Sequence, residues 1–211
     1  MKGLVGQKIG MTRIFDEKGK VIPVTVIKAG PCIAIQKKSI DKDGYNALQV
    51  GYGKRKKTNM PVSGHLKKYL SESNIPAIIK EIRDFDIDVK AGEPISVTIF
   101  KAGDNVDIQG ITKGRGFASL MKRHNFKGGP ASHGHTSHRR AGSIGAGSSP
   151  GRVIKGMKMA GRMGGKACSV INLKVVEIDE ENNLILVKGA VPGARNSYVV
   201  IKDSYKCNSR G

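Results

Sequence analysis

Gly3-Leu4-Val5-Gly6-Gln7-Lys8-Ile9-Gly10-Met11-Thr12-Arg13-Ile14-Phe15, then Asp16-Glu17-Lys18-Gly19, then Val21-Ile22-Pro23-Val24-Thr25-Val26-Ile27-Lys28-Ala29: this opening decides the fold class. Two glycines interrupt Leu4 to Phe15, a charged turn ends it, and β-branched residues dominate Val21 to Ala29. Such side chains are stiff at χ1 and pack well on a pleated surface, so both runs predict strands. Gly30-Pro31 breaks the second strand and Cys32-Ile33-Ala34-Ile35 continues the pattern. Asp41-Lys42-Asp43-Gly44 predicts another turn, and Tyr45 to Tyr52 the next strand. Short strands with glycine turns about every 8–12 residues predict an antiparallel barrel or sandwich.

Working outward, Lys54-Arg55-Lys56-Lys57 reads as a basic loop. Leu66, Tyr69 and Leu70 fall at helical spacing and predict a short helix carrying Lys67 and Lys68. Ala77 to Phe85 and Ile95 to Phe100 predict further strands, and Phe117, Leu120, Met121 and His124 predict one or two helical turns. Val170 to Ile178 alternates, Asp179 to Asn183 turns, Leu184 to Val187 closes a hairpin, and Tyr198 to Ile201 is a last strand. The expected layout is a β-rich body, residues 1–124 and 168–211, interrupted by an extended arm, residues 125–167.

The 211 residues carry 37 Lys and Arg against 17 Asp and Glu, a net charge of +20. The longest apolar runs, such as Leu184-Ile185-Leu186-Val187, are far short of the ~20 residues of a membrane helix. Gln7, Lys8 and Arg13 break up the N-terminal apolar residues, so no signal peptide is expected. Cys32, Cys168 and Cys207 are an odd number without CxxC spacing, which argues against a disulfide framework or a zinc site. An intracellular protein with a polyanionic partner is expected, and secreted and transmembrane classes are not.

The distribution of charge is more telling than its total. No Asp or Glu occurs between Asp107 and Glu177, a gap of 69 residues holding 13 Lys and Arg. Half of the 28 glycines and four of the five histidines, His124, His133, His135 and His138, lie there too. With Phe117 and Phe126 as its only aromatics, this stretch cannot build its own core, and self-repulsion would extend it in water. It needs something that supplies negative charge.

Enzyme signatures fail on inspection. At Gly165-Lys166 a phosphate-binding loop would need glycine at Ala160 and a hydroxyl at Ala167. Gly114-Arg115-Gly116 lacks the third glycine of a dinucleotide loop, and Gly145-Ala146-Gly147 has Pro150 in that place. His133, His135 and His138 space as HxHxxH, but no carboxylate lies within 25 residues to orient them on a metal. Asp104 and Asp107 have no partner for acid–base work, and Cys168 has only Lys166 nearby as an activating group. No catalytic residue, metal, cofactor or small-molecule substrate is expected.

Nucleic-acid binding explains more. In Lys113-Gly114-Arg115-Gly116-Phe117 glycine lets the backbone approach closely while the cations neutralise phosphate. Lys122, Arg123 and His124 follow, and Ser137-His138-Arg139-Arg140 offers guanidinium forks for phosphate or base stacking. From Pro150 to Lys166 the cations Arg152, Lys155, Lys158, Arg162 and Lys166 recur every three or four positions among glycine, methionine and valine. That spacing suits a chain threading between helices of a folded RNA. No signature of a modular sequence reader is present. The rival readings are an RNA-modifying or RNA-cleaving enzyme using the histidine cluster, and a DNA-compacting protein.

Gly3 to Thr12, the arm segments Ser132-His133-Gly134, Ser137-His138-Arg139, Gly142-Ser143-Ile144-Gly145, Pro150-Gly151-Arg152-Val153 and Lys158-Met159-Ala160-Gly161-Arg162-Met163-Gly164, and Leu186 to Gly193 closely resemble the bacterial ribosomal protein L three family. The resemblance runs from end to end. It implies a mainly β fold: a six-stranded β-barrel of the translation-protein type with an inserted α+β portion and a long basic glycine-rich extension. It further implies a structural constituent of the large ribosomal subunit, placed in the cytoplasm, that binds large-subunit rRNA and nucleates its 3′ domain. The extension is expected to point toward the peptidyl-transferase centre, with ribosomal proteins L fourteen and L nineteen as neighbours. Carried over onto this chain, rRNA contacts include His133, His138, Arg139, Arg152, Lys155, Lys158 and Arg162. Many relatives carry a side-chain-methylated glutamine before the Pro-Gly motif. Here Ala146-Gly147-Ser148-Ser149 stand there and no glutamine follows Gln109, so that modification does not transfer.

Overall fold

In the computed structural model, residues 1–70 and 75–205 are described; Cys207 lies outside them. In chain order the strands are β1 Gly3–Phe15, β2 Val21–Ala29, β3 Cys32–Lys38, β4 Ala47–Tyr52, β5 Ile78–Arg83, β6 Pro94–Ile95, β7 Asn105–Ile111, β8 Phe117–Ala118, β9 Gly161–Arg162, β10 Ala167–Asp179, β11 Leu184–Lys188 and β12 Tyr198–Asp203. Three short helices accompany them among the described residues: α1 Ile40–Asp43, α2 Met60–Leu66 and α3 Leu120–His124. The protein is mainly β, as its runs of β-branched residues predict. Contacts group the chain into two units, Met1–Thr112 with the chain from Ala167 onward, and Lys113–Lys166.

In the first unit six strands pair in the closed order β1-β12-β7-β10-β11-β2, with β2 returning to β1. β1 is long enough to serve two partners: Gly3 to Gln7 face Lys202 to Tyr198 of β12, and Gly6 to Phe15 face Ala29 to Val21 of β2. β7, β11 and the start of β12 bury alternate side chains inside the ring, and Leu4, Ile27, Ile108, Ile185 and Ile201 are fully buried. Each such residue contributes on the order of 1.5–3 kcal/mol by leaving water. The start of β1 is buried on both faces, because β5 covers its outside: a Cβ on Gly3 would lie 2.9 Å from the Ile82 side chain. That is why Gly3-Leu4-Val5-Gly6 does not alternate.

The ring's irregularities have visible causes. The β7–β10 register shifts between Val170 and Leu173, and there Asn172 adopts φ +59° and donates its N–H to Asp107 Oδ1 at 2.8 Å. Asp104 Oδ2 accepts the N–H of Lys101 at 2.9 Å. Both carboxylates thus bind backbone.

A second sheet, ordered β5-β4-β3-β6, fills the connection between β2 and β7. On it the Tyr45 ring lies between Lys38 Nζ, 5.1 Å from the centroid, and Arg83 Cζ at 5.2 Å. Lys38 Nζ reaches Glu81 Oε1 at 3.0 Å and donates to the Tyr45 hydroxyl at 2.8 Å, and that hydroxyl donates to Glu81 Oε2 at 3.0 Å. The Lys38 hydrogen bond holds the Glu81 carboxyl below its ordinary range.

Three local expectations are corrected. Asp41 to Gly44 belong to a single helical turn rather than a plain turn, ended by Gly44 at φ +79°, whose N–H donates to Ile40 O at 2.9 Å. The expected helix over Leu66, Tyr69 and Leu70 lies earlier, at Met60–Leu66, with Lys67 and Lys68 past its end. Pro61 sits in its first turn, where a missing N–H costs no hydrogen bond. Ile95 to Phe100 is a strand only at Pro94–Ile95. Val97–Ile99 curl into a 3-10 turn, because Phe100 N–H closes onto Val97 O at 3.0 Å instead of a neighbouring strand.

Ile108→Ala opens a cavity in the closed ring and is expected to lower stability by about 2–5 kcal/mol, read from urea unfolding followed by circular dichroism. Because the Glu81 carboxyl is held low, its stabilisation is complete above its ordinary value of 4.5 and fades as pH falls through the lowered value. The urea midpoint of the wild type is therefore expected to fall on acidification more steeply than that of Glu81→Gln. Parallel acid limbs would contradict this.

Candidate nucleic-acid interface

The unit Lys113–Lys166 contains twelve Lys and Arg residues and no Asp or Glu. Most of its order comes from backbone pairing. β8 and β9 pair with Phe117 opposite Arg162 and Ala118 opposite Gly161. Beside them Arg115 N–H donates to Met163 O and Met163 N–H to Gly116 O, each at 2.9 Å. Gly164 is at φ +74°, and a Cβ there would run into the Lys113 carbonyl oxygen. Ala118 is buried, whereas Phe117 is 81% exposed.

α3 carries Lys122, Arg123 and His124, and Asn125 ends it in the left-handed region, donating its N–H to Met121 O at 3.0 Å. Arg123 Nη1 donates to Met159 O at 2.7 Å, and His124 Nε2 lies 3.2 Å from the same oxygen. A side chain at Gly161 would intrude here, its Cβ 2.7 Å from Arg123 Nη1. Arg123 and His124 therefore tie α3 to the returning segment. Arg123 still has further N–H donors, since a guanidinium carries five.

Farther along, His138 Nδ1 lies 2.8 Å from Pro130 O, and Gly129 N–H donates to His138 O at 3.3 Å. His135 Nδ1 accepts the N–H of Ser137 at 3.2 Å, and its ring stands 6.3 Å from that of His138. Each ring thus has one nitrogen turned to the backbone. His133 sits at φ +65° and is exposed. Among the described residues no three His, Cys, Asp or Glu side chains converge as a metal site.

The remaining sequence candidates, Lys113, Arg115, Lys122, Arg139, Arg140, Arg152, Lys155, Lys158, Arg162 and Lys166, are exposed. No ion pair among the described residues involves any of the cations from Lys113 to Arg162. Between the cations of the 150s stand Val153, Ile154, Met157 and Met159, exposed by 37% to 61%. Loops with cations alone would need no such side chains; apolar ones interleaved with cations match a partner presenting both phosphates and base faces. Those residues, with Phe117 and His135, are missing from the charge-based candidates. Their signal in sequence is an apolar or aromatic residue where no core can bury it.

Gly164→Ala forces a Cβ against Lys113 O at a left-handed backbone angle, a strain of order 1–3 kcal/mol. Amide exchange at Arg115 and Met163 is expected to accelerate about tenfold or more, measured by hydrogen–deuterium exchange. Unchanged protection of those two amides would contradict it.

The chain is similar over nearly its whole length to known proteins. A profile of the family described as Ribosomal protein L3 matches residues 77–183. The large ribosomal subunit protein uL3 of Herpetosiphon aurantiacus is 48% identical over 214 residues, covering 100% of both chains. Its counterpart from Shouchella clausii is 51% identical over 206 residues, covering 97% of this chain and 98% of its own. That of Thermotoga maritima is 50% identical over 208 residues with the same coverage. These relatives are structural proteins of the ribosome, not enzymes. With matches spanning nearly its whole length and a profile match across both units, the chain belongs to the ribosomal protein L3 family and is a protein of the large ribosomal subunit.

Proposed function

We propose that this chain binds large-subunit rRNA directly, and that residues 125–167 form the arm that enters it. The carrying observation is that the unit Lys113–Lys166, which holds nearly all of this arm, has twelve cations, no carboxylate and side chains left exposed over nearly its whole length. Such a surface repels itself until a polyanion neutralises it. Binding releases the counterions condensed on RNA, which supplies the favourable free energy. Backbone N–H groups and glycine elbows at Gly142, Gly151 and Gly156 let the chain approach phosphates closely, and guanidinium forks at Arg139, Arg140, Arg152 and Arg162 grip them.

On this reading the six-stranded ring is a barrel of the translation-protein type and serves as the base of the arm. The arm extends toward the peptidyl-transferase centre, and the protein nucleates folding of the rRNA 3′ domain during assembly in the cytoplasm. Ribosomal proteins L fourteen and L nineteen are its neighbours. Lys113, Arg115, Lys122, Arg123, His124, His133, His138, Arg139, Arg140, Arg152, Lys155, Lys158, Arg162 and Lys166 make the contacts, Arg123 and His124 while also bracing Met159.

Filter binding of the free protein to its rRNA 3′ domain over a range of KCl concentrations tests this. The log–log plot is expected to be linear, with a slope of about −0.7 to −0.9 per phosphate contacted. Changing Arg152, Lys155 and Lys158 together to Ala is expected to make the slope shallower by about 2 to 3. An unchanged slope removes these residues from the interface. Cross-linking the arm in intact particles and mapping the RNA partners tests where it reaches.

A further inference from the structure

We propose that the first unit holds a second RNA contact, a cavity that takes one unpaired nucleotide of a single strand; this rests on RNA being the chain's partner. The cavity, a half-open cleft, has a volume of about 720 Å³, within the usual range for small-ligand sites. It lies where the ring meets the second sheet, and Lys28, Gly30, Tyr52, Gly53, Lys54 and Tyr198 are among its lining residues.

Tyr52 is the fixed wall. It is buried, and its hydroxyl donates to Lys28 O at 2.9 Å. The Tyr198 ring meets it at 82°, centroids 6.1 Å apart, and remains 38% exposed, leaving aromatic surface for a base to stack on. Gly53 stands at φ +73°, and a Cβ there would sit 3.2 Å from Ala77 Cβ and 3.8 Å from the Tyr198 hydroxyl. Glycine keeps that side of the cavity open. Gly30, at φ +93°, keeps backbone close on the other.

Charge completes the case. Lys28 and Lys54 both line the cavity, no carboxylate does, and neither ammonium is paired with one among the described residues. Arg55, Lys56 and Lys57 follow Lys54, all exposed. Cations without an aromatic surface would suit any anion, and an aromatic surface without cations any flat apolar ligand. The two together suit a base with a phosphate on each side. An acidic peptide would satisfy the lysines but offers no flat face to Tyr198.

The test uses the full chain and a short oligouridylate carrying 4-thiouridine, cross-linked by long-wavelength light and mapped by mass spectrometry. Adducts are expected at Tyr198 or between Tyr52 and Lys57, beside those in residues 113–166. Tyr198→Leu is expected to remove the cavity adduct and weaken oligouridylate binding about tenfold without altering the salt slope, because it removes a stacking surface and no charge. Tyr198→Phe, which keeps the ring, is expected to retain both. Should Tyr198→Leu fail to fold, Lys28→Gln combined with Lys54→Gln takes its place and is expected to lose the same adduct. A variant with Arg139, Arg140, Arg152 and Lys155 changed to Ala is expected to keep it. Adducts confined to residues 113–166 would overturn the proposal while leaving arm binding intact; absence of salt-dependent binding altogether would overturn the wider RNA reading. Displacement of the adduct by oligoglutamate as efficiently as by unlabelled oligouridylate would assign the cavity to an acidic peptide. Equal displacement by uridine 5′-monophosphate, nucleotide for nucleotide, would assign it to a free nucleotide instead.

Discussion

β1 is hydrogen-bonded along both edges, to β12 through Gly3–Gln7 and to β2 through Gly6–Phe15, and the ring of six strands depends on that double pairing. An open sheet of six strands would leave two rows of unpaired N–H and C=O groups. Closure removes both and seals Leu4, Ile27, Ile108, Ile185 and Ile201 inside. It also sets where insertions can occur. Ile111 of β7 faces Ala167 of β10, so the chain departs from the ring and rejoins it at one ladder position. The segment between them can lengthen or change without disturbing any register of the ring.

That freedom matters because the inserted segment obeys different physics. Its cations repel one another, and among the described residues Ala118 is its one buried apolar side chain. What order it has comes from the β8–β9 ladder, the Arg123 and His124 contacts on Met159 O, and the His138 turn. Gly161 and Gly164 are required there for close approach, not for flexibility. A segment with so little burial and so much like charge repels itself. The two units therefore differ: burial stabilises one, while the other combines little burial with twelve cations and no carboxylate.

Strands were legible where β-branched runs met turn residues: Val21–Ala29 and Leu184–Val187 appear almost as read. Places where a local hydrogen bond competes with strand pairing were not. Ile95 to Phe100 has strand composition, yet Val97 O takes the Phe100 N–H and the chain curls. The helix near Leu66 was displaced because apolar spacing at Leu66, Tyr69 and Leu70 outweighed Pro61, the better marker of a first turn. For the candidate interface, charge counting picked out the cations but could not tell Arg123, which reaches back to Met159, from Arg139, which is exposed. It also passed over Phe117, whose exposure is invisible until its surroundings are known.

The sequence by itself determined a mainly β body, a long stretch without acids, and the family to which both belong. Composition and local propensity suffice for the first two, since each depends on residues close together in the chain; the family rests on the likeness of motifs spread from end to end. The closed strand order and the double burial of β1 under Ile82 were decided only by tertiary structure. So was the cavity that unites Lys28, Tyr52, Lys54 and Tyr198. Tyr52 and Tyr198 are far apart in sequence and meet because β4 and β12 both pack against β1. No local pattern records a meeting between strands of two different sheets.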